Sequence, residues 1–150
     1  MSQSFKKVIL ETTEVKHCYK VGLRALVEHT SKIEVKNTRY LSGSVSIDDC
    51  VKTIYPKANR WDYIFGYKDE AFFMEVHPAH TGEVKAVLNK FDWLIKWLKE
   101  KAEKINSIKA KDKPAFYWVQ SEGYRILRDS PQERLIIQKG LRPVSKIKLN

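Results

Sequence analysis

Three side chains near the middle of the chain have the types and spacing to support phosphodiester chemistry: Asp62, Glu75 and His77. Residues 61–67 (WDYIFGY) and 71–77 (AFFMEVH) are rich in aromatic and β-branched residues, and Lys68-Asp69-Glu70 breaks the run, so the pair reads as a β-hairpin. A turn centred between Lys68 and Asp69 sets Asp62 opposite Glu75, with their Cβ atoms about 4.5–5.5 Å apart. Alternation along the second strand puts Phe73, Glu75 and His77 on one face. Facing carboxylates repel, and a divalent cation or a shared proton is the usual compensation. Oxygen ligands for Mg²⁺ (or Mn²⁺) beside a group that positions or deprotonates water are what metal-dependent phosphodiester hydrolysis requires. The same residues also admit a purely structural reading, with Glu75 paired to Arg60 or a lysine and His77 capping a strand before Pro78.

The run His77-Pro78-Ala79-His80 offers two imidazoles that, with Asp62 and Glu75, could bind a transition metal. Mg²⁺ is the better match, because Pro78 prevents a regular helix there and the cysteines add no ligands. Cys18 and Cys50 lie far apart without metal-ligand spacing, which predicts two free thiols in a reducing compartment.

Such a site needs elements to hold it. Apolar periodicity predicts a helix over residues 14–28 behind caps at Thr12 and Thr13, preceded over residues 6–10 by a helical turn or short strand. The β-branched residues of 33–40 predict a strand, and Ser46 with Asp49 reads as a capping box opening a short helix that ends before Pro56. After the hairpin comes a long helix over residues 82–107, its stripe including Val84, Val87, Leu88, Phe91 and Leu98. Residues 115–120 and 124–127 read as strands. Ser130-Pro131-Gln132-Glu133 opens a last helix that Gly140 closes, and residues 141–149 read as a final strand. This order predicts an α/β (α+β) fold, a central mixed β-sheet flanked by helices.

Composition agrees with one domain over 1–150: 150 residues, 43% apolar and 31% charged, with 6 Gly and 5 Pro, exclude a disordered or fibrous chain. Apolar runs are too short for a membrane helix, and Lys6 and Lys7 are followed by Glu11 and Glu14 rather than a signal-peptide core, so a cytoplasmic protein without membrane association is expected.

The charge points to a polyanionic partner, with 28 Lys plus Arg against 18 Asp plus Glu giving +10. Residues 85–150 carry 16 basic and 7 acidic groups, net +9, against 12 and 11, net +1, for residues 1–84. Lys139, Arg142, Lys146 and Lys148 are therefore candidate phosphate contacts. On the long helix, Trp93 and Trp97 fall opposite the main apolar stripe with Lys90 and Lys96. Either another element or a second copy of the chain covers them, which would make a homodimer, or they stack on bases.

An acidic residue early in one strand, an acid-x-base triplet near the end of the next, a helix before the pair and a long helix after it resemble the PD-(D/E)XK nuclease superfamily. Trp61-Asp62 stands where that family has Pro-Asp, and Glu75-Val76-His77 where it has (Asp/Glu)-x-Lys. The resemblance spans about residues 12–120. It implies a restriction-endonuclease-like core and Mg²⁺ held by Asp62 and Glu75, with Glu14 from the first helix completing or supporting the site. His77 replaces the lysine that orients water, and a neutral histidine accepts a proton but offers no permanent cation. Lys85, one turn into the next helix, is the candidate for the missing charge.

Three functions follow as expectations: a Mg²⁺-dependent endonuclease-like domain acting on DNA in preference to RNA, active or degenerate; a noncatalytic nucleic-acid-binding or assembly module on the same scaffold; and a metal-independent ribonuclease of the toxin type. Metal dependence separates the first from the third, and salt-sensitive binding without turnover marks the second.

Overall fold

The computed structural model describes residues 4–150. Helix α1 (Phe5–Leu10) is capped by the Ser4 hydroxyl, which accepts from the Lys7 N–H at 3.1 Å. The helix predicted over 14–28 does not form. Its place is taken by 3-10 turns at Lys16–Cys18 and Arg24–Lys32, the latter broken at Val27, where φ is 49°. Strand β1 (Ile33–Val35) is shorter than predicted, and Thr38–Tyr40 is another 3-10 turn. Strand β2 (Leu41–Ser46), whose sequence LSGSVS carries little strand signal, leads into the short helix α2 (Ile47–Val51), with Ser46 as its cap.

The hairpin is the centre of the molecule. Strands β3 (Tyr63–Tyr67) and β4 (Glu70–His80) pair antiparallel with Tyr63 opposite Met74 and Ile64 opposite Phe73, the register expected from the sequence. Lys68 and Asp69 both take positive φ, 53° and 59°, as a two-residue turn that matches strand twist demands. The Asp69 carboxylate accepts the Phe5 N–H at 2.9 Å, and the Lys68 N–H reaches the Tyr40 carbonyl at 2.9 Å, so both neighbours of the turn hold it. Gly66 is required because a Cβ there would collide with the buried Phe5 ring.

Helix α3 (Val84–Glu100) follows β4, and the predicted long helix stops there; after a break at Lys101 and Ala102, α4 (Glu103–Ser107) resumes as one turn. Strand β5 (Phe116–Arg125) joins the two segments predicted separately and ends at Arg125, short of the predicted end at Leu127. Helix α5 (Pro131–Lys139) starts on the Ser130 cap and ends at Gly140 in the left-handed conformation, as the sequence predicts. Only Ile147–Leu149 of the predicted last strand forms β6.

The main sheet has order β2-β3-β4-β5, with β4 and β5 parallel and the other pairs antiparallel; β1 and β6 form a separate parallel pair. It is a mixed sheet flanked by helices. One face carries Ile64, Phe73 and the acidic pair and meets α3, where Phe91 lies 5.1 Å edge-on from the Phe116 ring, itself stacked on Phe73 at 5.0 Å. Phe65, Phe72 and Met74 fill the other face and are fully buried. No helix among the described residues is long and apolar enough to cross a membrane.

The thiol expectation is corrected, because Cys18 and Cys50 are joined in a disulfide. The 3-10 turn at Lys16–Cys18 lies against α2, a long-range packing that spacing along the chain does not reveal.

Candidate functional site

The ladder between β3 and β4 ends at Tyr63 and Met74, and side chains make the next rungs. The Asp62 N–H donates to Glu75 Oε1 at 3.1 Å, and the Val76 N–H donates to Asp62 Oδ2 at 3.0 Å. Each carboxylate thus has one oxygen fixed by backbone, leaving Asp62 Oδ1 and Glu75 Oε2. The Asp62 carbonyl, in turn, accepts the Ile47 N–H at 2.9 Å, tying the site to the start of α2.

Both remaining oxygens face a cation from α3. Lys90 Nζ lies 2.6 Å from Glu75 Oε2 and 3.9 Å from Asp62 Oδ1. Glu75 is fully buried, whereas Asp62 and Lys90 keep about a fifth to a quarter of their side-chain surface (21% and 24%). His77 adds a second basic group, with Nδ1 3.4 Å from Glu75 Oε2 and Nε2 3.7 Å from Glu83 Oε2. Its Nε2 is buried without a hydrogen-bond partner among the described residues.

Burial and the Glu75 charge push the Asp62 carboxyl up to about 7, against the opposing pull of Lys90 and the Val76 N–H. The hydrogen bond to Glu75 raises the His77 imidazole despite its partial burial. For Lys90, desolvation works against the ammonium, but Glu75 outweighs it and the net direction is upward. The cluster therefore holds Lys90 charged and favours imidazolium at His77, which weakens His77 as a general base and makes it a second positive group beside Glu75.

The residues fit a hard divalent ion in part. Asp62 Oδ1 and Glu75 Oε2 are oxygen donors of the kind Mg²⁺ takes, with waters completing its shell. His77 does not extend them to a third ligand, because the one described group of three or more His, Cys, Asp or Glu ligand atoms within 4.8 Å of one another is His17, Cys18 and Cys50.

Other expected residues lie elsewhere. Glu14 points to Tyr55 and Trp97, accepting from the Tyr55 hydroxyl at 2.9 Å and the Trp97 indole N–H at 2.9 Å. Trp97 is seven residues beyond Lys90, two turns or about 10 Å along α3. Lys85 is exposed and lines a different cleft with Asn89, Gln132 and Lys139. Trp97 is buried, bonded to Glu14 and stacked on Trp93 at 5.8 Å, while the half-buried Trp93 meets the Tyr55 ring edge-on at 5.7 Å and is the one of the two that keeps an accessible ring. Lys139, Arg142, Lys146 and Lys148 are all exposed, with Arg142 5.6 Å over the Tyr124 ring.

Lys90 is the residue that sequence reading assigned no role. Its signal was its place on the Trp93 and Trp97 side of the helix, since large aromatics there mean that this side is also packed. Comparison with known proteins finds no family model, no curated protein and no solved structure that matches the chain.

Proposed function

We propose that this protein is a Mg²⁺-dependent phosphodiesterase of the PD-(D/E)XK nuclease type acting on DNA, with Asp62 and Glu75 as the metal ligands and Lys90 as the permanent cation. The observation that carries the reading is the Lys90 ammonium standing between the two carboxylates. A triplet with histidine in place of lysine lacks a fixed positive charge, and a lysine from the following helix restores it. The order of strands β2, β3 and β4, helix α3 and a β5 parallel to β4 supports the resemblance, with α1 (Phe5–Leu10) preceding them where the helix expected over residues 14–28 is absent.

When bound, the ion would polarise the phosphodiester and acidify a water. The chain's own residues do the rest. The backbone N–H groups of Asp62 and Val76 fix the carboxylates so that Asp62 Oδ1 and Glu75 Oε2 face Lys90, and an ion sharing both oxygens would have to displace the ammonium from Glu75 Oε2. Lys90 offsets their repulsion and supplies positive charge where negative charge develops on phosphate. His77, held by Glu75, adds a second positive group beside that carboxylate.

Purified protein incubated with plasmid DNA or RNA in Mg²⁺, Mn²⁺ or chelator tests this. DNA cleavage that needs the metal and disappears in Glu75→Gln is expected. Chelator-resistant RNA cleavage would assign a metal-independent ribonuclease, and binding of uncut DNA would assign a noncatalytic module.

Replacing Lys139, Arg142, Lys146 and Lys148 together by Gln is expected to flatten the slope of log affinity against log salt by about 0.9 for each phosphate that the side chains no longer neutralise. Filter binding over a salt series measures it, and an unchanged slope would place the DNA surface elsewhere.

A further inference from the structure

We infer that His17, Cys18 and Cys50 form a second, redox-gated metal site, which takes a borderline-soft divalent ion such as Zn²⁺ when the disulfide is reduced. The His17 Nε2 lies 3.7 Å from Cys50 Sγ, and one ligand atom from each of the three residues lies within 4.8 Å of the other two. Tetrahedral Zn²⁺ with bonds of about 2.3 Å to sulfur and 2.0 Å to nitrogen spaces its ligand atoms by roughly 3.5–3.8 Å. The nitrogen-to-sulfur separation already has that value. The two sulfurs need only move apart by side-chain rotation, because the Cα atoms are 6.1 Å apart.

The backbone around the three ligands is held by contacts besides the disulfide. The Lys20 and Ser44 main chains exchange two hydrogen bonds of 2.9 Å, and the Ala25 N–H reaches the Ser44 hydroxyl at 3.1 Å. Val15 on one side, and Ile47 and Val51 of α2 on the other, are fully buried. Tyr55 closes onto Glu14 with a hydroxyl-to-carboxylate bond, linking the chain after α2 to the turn. Reduction therefore leaves two thiols and an imidazole facing one another. A cleft of about 280 Å³, lined by these three residues with Ser46 and Asp49, gives access from solvent and leaves the fourth position to water.

The chemistry balances with a dithiol as reductant. The S–S bond breaks, Cys18 and Cys50 become thiols, and the dithiol becomes a disulfide. Metal binding then displaces two S–H protons to solvent, while neutral His17 donates the Nε2 lone pair. Oxidation by another disulfide reverses the order and releases the ion. This site shares no residue with the Asp62–Glu75 cluster and stands whether or not that cluster turns over.

Titration of Co²⁺ into the full chain, reduced with a phosphine under anaerobic conditions, tests the inference. One equivalent should bind with thiolate charge-transfer and tetrahedral ligand-field bands, and Zn²⁺ should displace it, while the oxidised protein shows neither. His17→Ala, a change at an exposed position, should weaken binding by roughly 100-fold, at least the loss that follows removal of an outer-sphere partner. Circular dichroism on the same samples reports folding. Reduced, folded protein that gives no tetrahedral cobalt spectrum overturns the site, as does an affinity unchanged by His17→Ala. Unfolding of the wild type on reduction would overturn it too, since the ligands would not be held in place.

Discussion

Replacing Lys90 by alanine is expected to lower the unfolding free energy by about 3 kcal/mol at neutral pH, the lower end of the range for breaking a buried ion pair because Lys90 itself keeps some solvent contact. Glu75 has no exposed surface, and its Oε2 would keep only His77 at 3.4 Å. Part of any loss comes from the aliphatic stem of Lys90, so Lys90→Met, which keeps that stem, isolates the charge. Adding Glu75→Gln to Lys90→Met should recover most of the stability, because the amide oxygen still accepts the Asp62 N–H while the unpaired charge is gone. Urea denaturation of the two single variants and the double variant measures the coupling, and additive losses would mean that the pair does not interact. The pH sense follows from the raised Lys90 value: a cation favoured in the folded state contributes fully at neutral pH and loses its contribution only as pH rises through the folded pKa, above the ordinary 10.5. The Lys90 ammonium itself therefore adds no pH dependence across the neutral range, but the difference between wild type and Lys90→Met should widen as pH rises through about 7, because the Asp62 carboxyl that titrates there loses the charge that favours its ionised form.

What the sequence disclosed follows the reach of each signal. The acidic pair was legible because a hairpin is local: two aromatic and β-branched runs and a three-residue break specify the register, and the structure has it. The start and stop of α5 were legible for the same reason, since Ser130, Pro131, Glu133 and Gly140 act within a turn of themselves. Residues 14–28 misled because helical spacing of apolar residues is also produced by successive 3-10 turns that bury Val15, Ala25 and Leu26 against the sheet. β2 escaped notice because Gly43 and Ser44 enter it by fit rather than propensity, with Tyr19 packed where a side chain on Gly43 would stand. Lys90 and the Cys18–Cys50 bond both depend on elements meeting across the fold, which no spacing along the chain records.

Asp62 carries the prediction with the largest effect on activity. Its carboxyl titrates near 7 in the folded protein against an ordinary value of 3.8, because burial and the Glu75 charge outweigh Lys90 and the Val76 N–H. The folded state therefore binds more protons than the unfolded one between about pH 4 and 7, and the contribution of this group to stability falls as pH rises through that window. Asp62→Asn removes the charge but keeps a carbonyl oxygen for the Val76 N–H. The variant should match wild type near pH 4 and exceed it at pH 8 by an amount on the order of a few kcal/mol. Catalysis should run the other way. Only the ionised carboxylate presents a charged ligand, so wild-type cleavage should climb with pH through about 7, and raising Mg²⁺ should shift that limb to lower pH because cation and proton compete for the same oxygen. Asp62→Asn should lose roughly 10³-fold or more in rate, several kcal/mol of transition-state stabilisation, while gaining stability. Urea midpoints and plasmid cleavage rates across pH 4–9 on the same two proteins read both effects. A less stable Asp62→Asn at pH 8 would show that the carboxylate is not strained, and a cleavage limb indifferent to Mg²⁺ would remove Asp62 from the proposed metal site.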